Sequence, residues 1–530
     1  MTKLFPSFKA RTIACFATIV LVFVFAPVLF SSLPAPYWFH DHFFNTLQIA
    51  TNFRTEGFPT FDRQTPPNDF SLLWGLTLSG LSVLFSTKTT LFFILVRLLA
   101  GLALCLTLWL FNRLIDALDY HPEKEARFLT SAFLTALFFY MAARSGSDTV
   151  LAIPCIFLNA LCVLNALRKP SFKSGVTVGL TVSLCAFARF DSAVFFLVAI
   201  LVLYFQFNNT YPVSKKNLLI LTGGTIVGLI PLMIYADFLQ TEFGSPVPSE
   251  LLSWKAVQDV APWRIITVLF IEPVRYLLKA PQAVALLLFP SLLLPLVAYV
   301  SFPWHEEAQT PEDTVFYTLI WYPVVCMAFI SFATYITLPE YAFYSFAASA
   351  PFALLFAVQR IKSQISEQER AKANRFWVIL GCLFLIVSLG LAVKPRSPAY
   401  KPVIDAVVGF SDQNPGRYAI GAGAGFLSFS TKSNVFRIDG MAEDLLLSTM
   451  LKAQEALDVA FKTYIVDYYV AVNPSKGEKC YSAREPVQNR FGGTNKGMSD
   501  WLCADPVFEK QVSPEMNVAV FAINPFGKAF

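Results

Sequence analysis

Apolar runs of membrane length recur from residue 12 to residue 393 and leave few folds open to this chain. Each is about 15 to 24 residues long and bounded by charges or turn residues, the length needed to cross a hydrocarbon layer as a helix. Backbone N–H and C=O groups have no water to bond inside a bilayer, so such runs fold as helices that satisfy themselves. The composition agrees. Of 530 residues, 55% are hydrophobic and only 15% charged, against about 25% charged in soluble domains, and the mean hydropathy is +0.54. The net charge of +5 is small and forms no basic stripe, which argues against a nucleic-acid partner.

The expected fold class is therefore mostly α: a polytopic membrane helix bundle of about 11–13 spans with a C-terminal extracytoplasmic α/β domain. Candidate spans are 12–32, 71–86, 89–112, 128–143, 149–167, 175–190, 192–207, 218–236, 283–300, 315–335, 341–358 and 376–393. The first follows Lys3, Lys9 and Arg11 and has no small-residue cleavage site after it, so it is read as a retained span. Lys and Arg clusters mark the inside, but threading every candidate through them misses by one crossing. Either the short, Gly-interrupted 71–86 does not cross fully, or a further span lies near 264–280. The outside then holds 33–70, the turn at 145–148, the stretch 237–281 and everything after Lys394.

The tail is a different material. It mixes charges, glycines and short β-type runs, Tyr464-Ile465-Val466 and Tyr468 to Val472, with a helical stretch from Met441 to Phe461. The domains read as 1–393, a membrane catalytic part with its first outside loop at 33–70, and 394–530, a soluble α/β part. Of nine cysteines, seven lie in or beside apolar runs as packing residues. Cys480 and Cys503 are the two in the tail, and an oxidising compartment would pair them as a disulfide.

Four stretches could do chemistry. In the first outside loop His40-Asp41-His42 sets a carboxylate between two imidazoles just past a membrane exit, with Arg54 further on. Asp41 reads either as a general base or, with the histidines, as a divalent-metal ligand; the bland alternative is a solvated interfacial loop. Ser145-Gly146-Ser147-Asp148-Thr149 reads as a polar turn whose Asp148 or Ser147 caps the next helix. Arg189-Phe190-Asp191 is an ion pair in an apolar stretch, holding helices together or meeting an anionic ligand. Phe243-Gly244-Ser245-Pro246-Val247-Pro248 forces a non-helical path at the outer surface and is followed by Lys255 at phosphate level. The Gly421-Ala422-Gly423-Ala424-Gly425 run reads as a strand-to-helix turn.

In this order the stretches resemble the GT-C glycosyltransferases that use polyprenyl-phosphate sugars, in particular the bacterial group around the mycobacterial terminal arabinofuranosyltransferases. The similarity runs from His40-Asp41-His42-Phe43 through Leu72-Leu73-Trp74, the 145–149 turn, Arg189-Phe190-Asp191 and the Phe243 to Lys255 loop into Val435-Phe436-Arg437-Ile438-Asp439-Gly440 of the tail. It departs where His40 replaces the first acidic residue of the loop motif, Asp148 a glutamate, and Phe190 a proline. The resemblance implies Asp41 as general base toward an acceptor hydroxyl. It implies substrate contacts from His40, His42, Arg54, Asp148, Arg189 and Lys255. A divalent cation (Mg, Mn or Ca) would be held by Asp41, His42 and Asp148. The implied partners are a polyprenyl-phosphate sugar donor, a glycan or glycolipid acceptor and the bilayer, at an inner (plasma) membrane with the tail outside. Competing readings are a lipid or glycan transporter, a polysaccharide ligase, and a non-catalytic glycan-binding relative.

Overall fold

The computed structural model describes residues 34–39, 41–63, 71–119, 122–145, 149–207, 215–243, 310–334, 339–393, 401–421, 423–439, 445–485, 497–514 and 516–523, with a few isolated positions between 18 and 28. Element labels number the described elements. The helical part comprises α1 (Asp41–Glu56), α2 (Leu72–Leu84), α3 (Thr90–Ala117), α4 (Lys124–Ser145), α5 (Thr149–Arg168), α6 (Phe172–Ala188), α7 (Val194–Phe207), α8 (Lys215–Gly228), α9 (Ile230–Phe243), α10 (Pro311–Thr334), α11 (Pro339–Gln364) and α12 (Glu367–Val393).

Three of these are long and apolar enough to cross a membrane on their own: α3, α5 and the Glu367–Gly390 part of α12. The expected single span at 218–236 is instead the pair α8 and α9, bent by 45° at Leu229. Pro231 explains the break, since it lacks the N–H that would continue the hydrogen-bond ladder. Helix α2 has 13 residues and a rise of about 20 Å, short of the roughly 30 Å hydrocarbon core, so it does not cross by itself. The stretch 33–70 is not a plain loop: a 3₁₀ turn, Ala35–Trp38, leads into the 16-residue helix α1. Expected spans 12–32 and 283–300, and the stretch 264–280, lie in or mostly within residues outside the described ones.

The main helix core joins α3, α4, α5, α6, α7, α10, α11 and α12. Phe352 of α11 stands edge-on to Phe111 of α3 and Phe157 of α5, with ring centroids 4.8 and 5.6 Å apart. The tightest contact in the bundle is between α6 and α8. Gly175 and Gly179 face Gly224 and Gly228, and a Cβ on any of the four would lie 2.2–2.3 Å from a carbonyl oxygen of the opposite helix. Small residues four apart let backbones approach where no hydrophobic effect drives helices together.

The tail folds into α13 (Lys401–Gln413), β1 (Arg417–Ile420), α14 (Ala424–Ser430), β2 (Asn434–Arg437), α15 (Leu445–Ala453), α16 (Leu457–Thr463), β3 (Tyr468–Val472), β4 (Ser475–Lys476), β5 (Tyr481–Glu485), β6 (Met498–Leu502), β7 (Phe508–Ser513) and β8 (Met516–Ala522). The main sheet has the order β2-β1-β3-β8-β7. Its first three strands are parallel because helices cross over between them, and β8 and β7 return antiparallel. Two local expectations change. Of the expected 441–461 stretch, the described part from Leu445 onward is two helices, interrupted where Gln454 takes a positive φ, and Ile465 also has φ of 52°, so 464–466 is a turn and not a strand. The expected Cys480–Cys503 disulfide is present, tying the two ends of the β5–β6 hairpin.

Helix α1 and the tail share one core. Phe43, Phe44, Leu47 and Ala50 of α1 pack with Trp74, Phe93, Val403, Val407, Phe426 and Val470. The Phe44 ring lies 4.9 Å from both Phe426 and Phe429. Beside it Arg417 makes an ion pair with Asp62, both side chains under 10% exposed. Burial pulls the Arg417 guanidinium down from its ordinary value, and the Asp62 charge opposes that. Lys88, between α2 and α3, sits 4.3 Å over the Phe429 ring and donates to the Phe429 carbonyl near the end of α14.

Two stability predictions follow from these contacts. Gly179→Leu drives a side chain into the α8 backbone and should lower the melting temperature in detergent, by at least the 1–3 kcal/mol of about one overpacked site. Gly223→Ala, with open space at its Cβ, should leave it unchanged. Asp62→Asn strands a buried guanidinium and should destabilise by about 3–5 kcal/mol, whereas the Asp62→Leu/Arg417→Met double variant should lose less; thermal unfolding of the four proteins decides.

Candidate functional site

The strongest candidate is the start of α1. The 3₁₀ turn, led in by Pro34, Ala35 and Pro36, ends at Phe39, and α1 begins at Asp41. A helix start favours an acidic residue, because the first N–H groups and the helix dipole present positive potential there. Buried aromatic residues flank it in the chain. Trp38, Phe39, Phe43 and Phe44 are buried, and Phe39 stacks on Phe43 at 4.3 Å across the Asp41 position. Phe93 of α3 supports both rings at 5.7 and 6.3 Å. His40 lies outside the described residues, and of Asp41 and His42 only the helical backbone is described.

Further along α1, the polar residues are tied down in sequence. Gln48 donates to Asn52 at 3.2 Å. Asn52, itself buried, donates to the carbonyls of Thr60 and Phe61, both at 2.9 Å, and Thr60 donates to Asp62 at 3.2 Å. The chain after α1 is thereby folded back so that Asp62 meets Arg417 of the tail. Arg54 serves a structural contact: it donates to the Ser82 carbonyl at 2.7 Å near the end of α2. Thirteen residues beyond Asp41, it stands about 20 Å further down the helix.

The second element is the corner between α6 and α7. Arg189 is extended, and a 3₁₀ turn over Phe190–Ala193 follows. Ser192 fixes that turn by donating to the carbonyls of Cys185 and Arg189, both at 2.7 Å. The guanidinium meets Asp191 through two bonds, of 3.0 and 3.1 Å, and lies 4.9 Å over the Tyr344 ring. Ser71, which precedes α2, donates to the Ala188 carbonyl at 2.8 Å and so brings the start of α2 against this corner. Leu151, two residues into α5, packs against the main helix core, the α1–tail core and the small cluster of Cys155, Cys185 and Ala188. The start of α2, the start of α5 and the end of α6 therefore meet at this corner. Asp148 and Lys255 lie outside the described residues.

One buried charge escapes a reading of the motifs. Arg97, 96% buried, lies one turn beyond Phe93 on α3, on the face that supports the Asp41 frame. A lone arginine inside the apolar run of 89–112 is its signature in the sequence. In the tail the Gly421–Gly425 run is a strand-to-helix turn, as expected, with Gly423 at φ +94° before α14. A Cβ on Gly421 would lie 2.2 Å from Glu485 Oε2, and Tyr469 donates to Glu485 Oε1 at 3.0 Å. A buried carboxylate fills the space above this turn, which is not open to a phosphate. Burial and that carboxylate push the Tyr469 phenol up.

Among the described residues no three His, Cys, Asp or Glu gather as metal ligands; the side chains of Asp41, His42 and Asp148 are not among those described.

No family model matches this chain, and no curated protein matches it in sequence. Solved structures do. The archaeal oligosaccharyltransferase AglB from Archaeoglobus fulgidus, solved with an inhibitory peptide and a dolichol-phosphate, matches with a TM-score of 0.51 at 12% identity, over 88% of this chain and 70% of its own. The mycobacterial arabinofuranosyltransferase AftD matches with a TM-score of 0.51 at 13% identity, over 98% of this chain but only 40% of its own. At such identities the likeness is one of architecture: a membrane helix bundle followed by a C-terminal α/β region.

Proposed function

We propose that the protein is a membrane glycosyltransferase that moves a sugar from a polyprenyl-phosphate donor to a hydroxyl of an envelope glycan or glycolipid on the extracytoplasmic side. The observation that carries this is the position of Asp41 at the start of α1, between the buried Phe39 and Phe43 in the chain. That placement occurs in a fold shared with two transferases, one of them solved with a lipid-linked phosphate. The Cys480–Cys503 disulfide supports an oxidising compartment for the tail. In this reading residues 1–393 form the catalytic membrane part and 394–530 the outer domain, in the inner membrane of the cell.

Asp41 takes the proton of the acceptor hydroxyl as that oxygen attacks the anomeric carbon. The bond from the anomeric carbon to the phosphate oxygen breaks, and polyprenyl phosphate leaves with the electron pair. Cations near the leaving group lower the barrier by stabilising its growing charge. Lys255 takes the larger share, because the Arg189 charge is already engaged by Asp191 in a two-bond pair. A divalent cation, if the enzyme uses one, would draw on Asp41, His42 and Asp148 and would neutralise phosphate charge.

Purified protein in nanodiscs, given polyprenyl-phosphate pentoses and hexoses, should release polyprenyl phosphate and transfer sugar. Asp41→Asn should fold normally and lose transfer by roughly 10²-fold or more. Full activity in that variant removes the base assignment, and a chelator added to the wild type tests the metal. Lys255→Met should lower kcat with its melting temperature intact. Arg189→Met should lose stability as well, because it leaves Asp191 buried without its partner.

A further inference from the structure

Four polar residues of α1, Asp41, Asn45, Gln48 and Asn52, fall at a spacing of four, three and four that places them on one face of the helix. The lower part of this stripe is satisfied within the protein. Gln48 bonds Asn52, and Asn52 bonds two backbone carbonyls. Asn45 differs. It is 96% buried, yet its side-chain oxygen has no hydrogen-bond partner among the described residues. Asp41, one turn away, cannot supply one while ionised, because a carboxylate only accepts. Leaving a buried acceptor unsatisfied is unfavourable, and native proteins leave few of them. The position of this one, a single helical turn below the proposed base, gives it a use.

We infer that Asn45 is a substrate-positioning residue whose side-chain oxygen accepts a hydrogen bond from a sugar hydroxyl held next to Asp41. This rests on the transferase reading above. The chemistry selects the ligand class: the open atom is a neutral acceptor, so it fits an O–H donor and not a phosphate oxygen. Its burial makes the bond discriminating, because an analogue without that hydroxyl leaves the amide oxygen buried and unpaired again. Asn45 would thus read one hydroxyl of the sugar, whereas Asp41 removes the proton of another.

The test pairs each accepted polyprenyl-phosphate sugar, and its acceptor glycan, with a series of analogues lacking one hydroxyl, in wild type, Asn45→Ala and Asn45→Asp. Wild type should lose about 10- to 100-fold in kcat/KM for one analogue of the series. Asn45→Ala should lose a similar factor with the full substrate and be indifferent to that same deletion. Asn45→Asp, which keeps an acceptor oxygen, should retain the discrimination. The melting temperature of Asn45→Ala should be equal to or above that of wild type, since no internal hydrogen bond is removed; an asparagine with a merely structural role would lower it. Wild-type transfer with a deoxy profile that Asn45→Ala leaves unaltered overturns this inference alone. Absence of transfer from every donor by the wild type overturns the transferase reading and this inference with it.

Discussion

The core that α1 shares with the tail holds the rest of the arrangement in place. Helix α1 carries the candidate base at its first position, and nothing local would keep a 16-residue amphipathic helix at a membrane surface in one orientation. Its apolar face does so by meeting α2 and α3 on the membrane side and α13, α14 and the sheet on the other. The tail thereby packs directly on α1. The buried Arg417–Asp62 pair fixes the register of that contact, since sliding α1 relative to the sheet separates two charges that have left water.

A second constraint operates below it. The α6–α7 corner that carries Arg189 must stay at a fixed height relative to α1, and the glycine contact between α6 and α8 supplies that rigidity. With backbones in direct contact, a shift of either helix meets carbonyl oxygens. The Ser71 bond to Ala188 then ties the corner to the start of α2. Two short helices that do not cross the membrane by their own length, α1 and α2, are fixed to elements that are buried in the bundle.

The polar residues are distributed by the same logic. Several buried side chains are paired within the protein: Asn52 with two carbonyls, Arg189 with Asp191 and Tyr344, Arg437 with Asp439 at 2.6 and 2.9 Å. Among the described residues the side-chain oxygens of Asn45 and of Asn159 on α5 are not, and what sets Asn45 apart is its place one turn from Asp41.

The sequence by itself determined the class of the fold and much of the inventory of the site. Hydropathy runs are local and one-dimensional, so α3, α5 and α12 lie close to where apolar length puts them, and the polar tail announced a separate α/β unit. The disulfide was legible because only two cysteines stand outside the apolar runs, and the Arg189–Asp191 pair because the partners are two residues apart. Other features depended on residues far apart in the chain meeting in space. No periodicity ties Asp62 to Arg417, or Gly179 to Gly228. The bend at Leu229 and the positive φ at Gln454 and Ile465 turned expected continuous elements into broken ones. Arg54 entered the site through the resemblance, and the helix sets it about 20 Å along its axis from Asp41, on the Ser82 carbonyl. What only the tertiary structure decided is which polar groups are satisfied within the protein and which are left open. That depends on packing from all sides, and a linear pattern does not contain it.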